Sequence, residues 1–399
     1  MARVGQTIPV AINRCTSLPD KTDPSDRSAS TWAQDAWLWP FEAARLALDI
    51  YSQWYPNRAP EPTDSSGEVA ALAWTTAHSV ALQLPSMRLL DFSRALEGPP
   101  LLVCAPYALH RAQIADIAPG HSLMEALQKA GVARLYLTDW RSAAPEMRYF
   151  SIDTYLSDLN VAVDTIGPPV DLAGLCQGGW LSLLYAARFP GKVRRLVLAG
   201  SPVDVSAPSD LSRMVASLPQ QGFEAMVRQG DGIVSGKHML QLWSIPFSLP
   251  DVEAALQRRL DGKSEDARVL LDRFTHWDSD PLDLPGTYYL EVTDWIFRQN
   301  RIAAGHFVAL GRKIDLAAVT LPVFLLAAEN DIVVPPDQAF ATMRLLGTRP
   351  AWLQRETEPC SHLGLFMGRR ALAGSWRRIA RWLQSDLGET ASERSRISA

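Results

Sequence analysis

Between residues 99 and 203 the chain alternates two hydrophobic patterns. Short, mostly apolar runs stand at 101–105, 134–138, 170–175 and 193–199, interrupted only by Arg134 and Thr138 at the ends of the second, Asp171 in the third and Arg194-Arg195 in the fourth. Stretches 152–166 and 177–188 instead carry apolar residues at helical spacing. The runs are short and lack polar alternation, as strands buried on both faces require. The rhythm returns later, with a run at 322–328, a helix predicted at about 336–346 and a weaker run at 352–356. Leu372, Trp376, Ile379 and Leu383 then share one face of a last helix. This order predicts an α/β fold: a mostly parallel sheet with helices on both faces.

Residues 204–317 interrupt it. The interval exceeds 100 residues, far beyond an ordinary strand–helix connection. It contains helical patterns at about 251–260 and 290–304, and reads as a helical cap inserted between two strands of one sheet. Before the sheet, residues 12–30 are polar, and 57–67 form a Pro- and Ser-containing linker. Between them, 32–55 carry four of the thirteen tryptophans, with a helical pattern broken by Pro56. The expected plan is an N-terminal arm and helical segment (1–84), a core in two parts (85–203 and 318–385), the cap (204–317) and a disordered tail (386–399).

Composition narrows the class. Hydrophobic residues make up 47% and charged residues 21% of the 399 residues, as in an ordinary globular chain. A net charge of -4 gives no reason to expect nucleic acid as a partner. The four cysteines, Cys15, Cys104, Cys176 and Cys360, show neither a disulfide framework nor metal-ligand spacing, so a reducing, cytoplasmic compartment is expected. Residues 1–9 lack the apolar run of a signal peptide. The longest uncharged stretch, 69–87, holds Thr75, Thr76, His78, Gln83 and Pro85, so no transmembrane segment is expected.

The sharpest chemical signal is Gly174-Leu175-Cys176-Gln177-Gly178-Gly179. It follows a predicted strand and opens a predicted helix, the setting of a nucleophile elbow, here with Cys as the nucleophile. A thiol at a helix N-terminus sits in a field that favours thiolate. It needs a base, and the base needs an orienting acid. In this architecture the chain order is nucleophile, acid, His. Asp331 follows the run 322–328 and His362 follows 352–356. The oxyanion hole is expected from the backbone N–H of Gln177 and a second N–H after 101–105. Pro106 has none, which leaves Tyr107 or Ala108. The remaining histidines lack such support; His121 and His306 read as structural or surface residues.

These segments together resemble the polyhydroxyalkanoate synthases, most closely the short-subunit class that works with a partner subunit. The likeness runs over about 85–385. It rests on Tyr107-Ala108-Leu109, Asp116 with Ser122-Leu123, Leu137-Thr138-Asp139-Trp140, Ile152-Asp153-Thr154-Tyr155, the Cys176 box, and Ser201-Pro202-Val203-Asp204. His276-Trp277 through Leu284-Pro285-Gly286, Asp331 and His362-Leu363-Gly364 complete it. The chain departs at Ile332, Ser361 and Asp278, where the family tends to have His, Gly and Asn. Residues 1–70 match no segment of it.

The resemblance implies an α/β-hydrolase fold and an acyltransferase that polymerises 3-hydroxyacyl-CoA through a Cys176-bound acyl group. Cys176, Asp331 and His362 would be catalytic. A CoA thioester would be the substrate and a polyester chain the product, with no metal or other cofactor. It leaves open a homodimer or a partner subunit, and a place in the cytoplasm at polyester granules. The alternative is hydrolysis, as a polyhydroxyalkanoate depolymerase or acyl-CoA thioesterase. A catalytically idle granule-binding protein has only the aromatic segment 32–55 in its favour.

Overall fold

The computed structural model describes residues 72–242 and 265–385. The aromatic segment 32–55, the pattern at 251–260 and the tail 386–399 lie outside the described residues. Eight strands form one sheet: β1 (Ser79–Gln83), β2 (Met87–Asp91), β3 (Leu101–Cys104), β4 (Leu135–Trp140), β5 (Val170–Leu175), β6 (Val193–Ala199), β7 (Val323–Ala328) and β8 (Leu353–Glu358). Their order across the sheet is β1-β2-β4-β3-β5-β6-β7-β8. From β4 to β8 every pairing is parallel, while β2 runs antiparallel to both β1 and β4. Every residue of β3, β4, β5 and β7 is buried. Side chains alternate between faces, so both faces of this central sheet are covered.

The sheet starts earlier than the expected boundary at residue 85. β1 and β2 form an antiparallel pair on its edge, and the chain before them is fixed too. The buried Asp116 carboxylate accepts hydrogen bonds from the N–H and hydroxyl of both Thr75 and Thr76, at 2.6–2.9 Å.

The connecting helices are α1 (Leu123–Lys129), α2 (Ile152–Ile166) and α3 (Gln177–Arg188). In α2, Ile152, Tyr155, Leu156, Leu159, Ala162, Val163 and Ile166 are buried, one apolar stripe at helical spacing. Ser151 caps its start, accepting from the Thr154 N–H.

Between β6 and β7 the chain leaves the sheet and builds helices α4 (Asp210–Ser217), α5 (Gln220–Gln229), α6 (Gly236–Leu242), α7 (Glu265–Ser279) and α8 (Gly286–Glu291). α8 continues as a π-helical segment, Val292–Arg298, so the expected helix over 290–304 is wound more widely and ends sooner. The two ends of the insertion are tied together. Asp204 accepts from the Asn300 side-chain amide at 2.9 Å and pairs with Arg344 of the core.

The insertion also touches α2. Glu291 accepts the N–H of Ile152 at 2.7 Å. Burial, and more weakly the nearby Asp153, raise its carboxyl from 4.5 to about 7, against the opposing pull of the Ile152 N–H and Arg301. A raised acid stabilises the fold fully below its unfolded value and loses that contribution as pH rises through the folded one. Glu291→Gln keeps the acceptor and removes the titration. Its Tm should match wild type near pH ~4 and exceed it by a few degrees near pH ~8. Thermal melts across this range check it; a constant difference would show that Glu291 does not titrate there.

Candidate active site

β5 delivers the Gly174–Cys176 turn to the end of the sheet, and α3 starts one residue later. Cys176 has φ 48° and ψ -119°, a conformation that L residues rarely adopt. Two backbone hydrogen bonds of 2.9 Å hold it there, from Cys176 N–H to the Ala199 carbonyl and from Gly179 N–H to the Cys176 carbonyl. A Cβ at Gly174 would lie 2.4 Å from the Gly179 Cα, and one at Gly178 would lie 2.2 Å from the Cys104 carbonyl oxygen. Glycine at 174 lets the turn close on its own backbone, and glycine at 178 lets it pack against the end of β3.

Asp331 lies in the turn after β7, and His362 in the loop after β8. Two backbone hydrogen bonds join these loops: Glu329 N–H to the Glu358 carbonyl (2.8 Å) and Asn330 N–H to the Cys360 carbonyl (3.1 Å). One Asp331 oxygen, Oδ1, accepts the N–H groups of Val333 (2.9 Å) and Val334 (2.8 Å). The other, Oδ2, lies 2.7 Å from His362 Nδ1. Both side chains are buried. Nδ1 is thereby engaged, which leaves Nε2 for Cys176, with which His362 also hydrogen-bonds. Burial alone would lower the imidazole pKa. The Asp331 carboxylate and the Cys176 sulfur outweigh it and raise the group well above its ordinary value. The arrangement can therefore carry an imidazolium beside a sulfur nucleophile, with a fixed carboxylate behind it.

Cys176 and His362 open onto a cavity of about 190 Å³. The core contributes Ala108, Gln177 and Phe366 to its wall, and the insertion contributes Val215, Tyr288 and Phe297. Most of the lining is apolar. Of the two N–H candidates after β3, Ala108 lines this cavity. Tyr107 instead turns its ring into the core, with ring centres 4.6 Å from Tyr155 and 5.1 Å from Tyr288. Gln177 is the first residue of α3, beside Cys176. Among the described residues none accepts a hydrogen bond from the N–H of Gln177, Tyr107 or Ala108.

The other described cysteines stand apart. Cys104 is fully buried in β3, and burial pushes its thiol up to about 12. Cys360 is partly buried and does not line the cavity. His121 is structural: buried, with Nδ1 2.9 Å from the Met367 carbonyl oxygen. His306 is exposed. His110, for which the sequence suggests nothing specific, lines the cavity and stacks on Trp277 at 4.3 Å. Tyr288 reaches the same wall. Neither carries a local motif, because tertiary folding alone brings both to the cavity that Cys176 lines. Among the described residues no cluster of His, Cys, Asp or Glu could hold a metal ion, and no helix is long and apolar enough to cross a membrane.

Residues 116–368 match a family described as the alpha/beta hydrolase fold. Among curated proteins, the chain is similar to the poly(3-hydroxyalkanoate) polymerase subunit PhaC of Synechocystis sp., 29% identical over 77% of this chain and 84% of that protein. The subunit of the same name from Haloferax mediterranei is 25% identical over 87% of this chain and 73% of that one. That from Allochromatium vinosum is 28% identical over 72% and 82%.

Proposed function

The chain belongs to the alpha/beta hydrolase fold family and within it is a relative of the poly(3-hydroxyalkanoate) polymerases; from that premise we propose that it polymerises 3-hydroxyacyl groups from CoA thioesters through Cys176. The observation that carries this reading is the Cys176, His362 and Asp331 constellation at the wall of an apolar cavity. A thiol nucleophile suits a thioester, because the acyl group passes from one sulfur to another.

In the first half-reaction His362 Nε2 takes the Cys176 thiol proton as the sulfur attacks the thioester carbonyl carbon. The carbon–sulfur bond to CoA breaks, and the departing CoA sulfur takes a proton from His362 Nε2. In the second, the hydroxyl of the next monomer gives its proton to Nε2 and its oxygen attacks the acyl carbon; the carbon–sulfur bond to Cys176 breaks and the released sulfur takes that proton back. Asp331 keeps the ring oriented and stabilises its charged form. The N–H groups of Gln177 and Ala108 face the charge that develops on the carbonyl oxygen. The steps draw on these groups and the thioester alone. The segment between β6 and β7 acts as the cap, its apolar wall keeping water from the acyl-enzyme. The relatives are named as subunits of a polymerase, which supports a partner subunit for this chain too, acting in the cytoplasm at the polymer surface.

The test is the purified protein with 3-hydroxybutyryl-CoA. CoA release accompanied by polymer supports the proposal. Stoichiometric free 3-hydroxybutyrate instead would mark a thioesterase, with water as the acceptor.

A further inference from the structure

The chain after β3 is laced to the insertion through its carbonyls. The Tyr288 hydroxyl donates to the Tyr107 carbonyl at 2.9 Å. The Leu282 N–H donates to the Leu109 carbonyl at 2.7 Å, and the Trp277 indole N–H to the Arg111 carbonyl at 2.8 Å. Three alternate carbonyls, at 107, 109 and 111, are thus held by one inserted stretch. The first of these bonds matters most for chemistry. In a trans peptide the carbonyl and the following N–H point in opposite directions. Holding the Tyr107 oxygen therefore also directs the Ala108 N–H, and Ala108 lines the cavity beside Cys176.

We propose that Tyr288 is a positioning residue that sets the oxyanion hole, fixing the Tyr107–Ala108 peptide so that the Ala108 N–H meets the thioester oxygen. This rests on the acyl-transfer reading above. When Cys176 attacks, the carbonyl π pair moves onto oxygen. It returns as the bond to CoA breaks. A donor stabilises that passing charge only if it is aimed beforehand, since reorienting it during the reaction would consume the gain. Tyr288 suits the task. It is buried, its ring centre 4.9 Å from Tyr155. Burial, then the neighbouring Tyr107, raise its hydroxyl far above the ordinary value, so it stays a donor throughout the working pH range. The insertion thereby completes a site whose nucleophile, base and acid all come from the core.

Tyr288→Phe in the full chain removes the hydroxyl and keeps the ring. Three quantities are read: kcat and KM for CoA release from 3-hydroxybutyryl-CoA, the rate of Cys176 alkylation by iodoacetamide, and Tm. Loss of a direct oxyanion donor costs about 10²–10³ in kcat; loss of its support should cost at least ~10-fold, with KM little changed. Alkylation displaces iodide and builds no oxyanion, so its rate should stay within about twofold of wild type. A second readout is binding of 3-hydroxybutyraldehyde, whose reversible adduct on Cys176 places an oxygen in the hole; it should weaken in parallel with kcat. Unchanged kcat would overturn the proposal. So would a parallel fall in turnover and alkylation, which would mean that Tyr288 acts on the thiol or on the fold. Absence of thioester turnover in wild type, with alkylation intact, would instead remove the acyl-transfer reading on which the proposal stands.

Discussion

Cys176→Ala should lower CoA release by at least ~10³-fold, as loss of a covalent nucleophile commonly does. Alanine fits the elbow without new atoms, and the backbone bonds at Ala199 and Gly179 do not involve the side chain. The variant should therefore fold, and its loss can be assigned to chemistry. Cys360 is the natural control. It lies two residues before His362 and is partly accessible, but it is absent from the cavity wall. Cys360→Ala should keep turnover within about threefold of wild type. Cys104 offers no rival nucleophile, since burial holds it protonated far above neutral pH. Near-normal CoA release by Cys176→Ala would end the covalent account.

His362→Ala should cost about as much as the double variant His362→Ala with Asp331→Ala. The carboxylate acts through the imidazole. One oxygen receives two backbone N–H groups, and the other meets Nδ1. Without the ring it has no reacting group to orient, so the second loss should add less than ~3-fold. Asp331→Ala alone should also be severe, by ~10³-fold or more, because it frees the ring orientation and leaves a buried imidazolium uncompensated. Steady-state CoA release across the four proteins closes the cycle. Full additivity would mean that Asp331 serves some other group, with Glu329, in the same loop, the next acid to try.

The constellation was legible in the sequence because each member sits where a strand ends. A six-residue strand that is apolar apart from Asp171, two glycines around Cys176 and an amphipathic helix leave one arrangement for residues 174–179. Asp331 and His362 follow the next two parallel strands in the order that this architecture demands. Other features depend on contacts that no local pattern records. β1 is largely exposed, with a burial pattern unlike the central strands, so its residues read as part of the arm. β2 carries Arg88 and Asp91 within five residues, which hides its apolar run. The π-helical winding of Val292–Arg298 keeps a helical hydrophobic pattern and changes only its pitch. Tyr288 and His110 are an ordinary aromatic residue and an ordinary histidine until the insertion folds back onto the loop after β3.

The most direct test of the covalent account is the mass of the protein quenched in acid within seconds of mixing with 3-hydroxybutyryl-CoA, followed by proteolysis. The account predicts a 3-hydroxybutyryl adduct on the peptide containing Cys176. It should be absent from Cys176→Ala and should build up in His362→Ala only slowly, if at all. Turnover with no adduct on that peptide, or an adduct on Cys360 in its place, would contradict it.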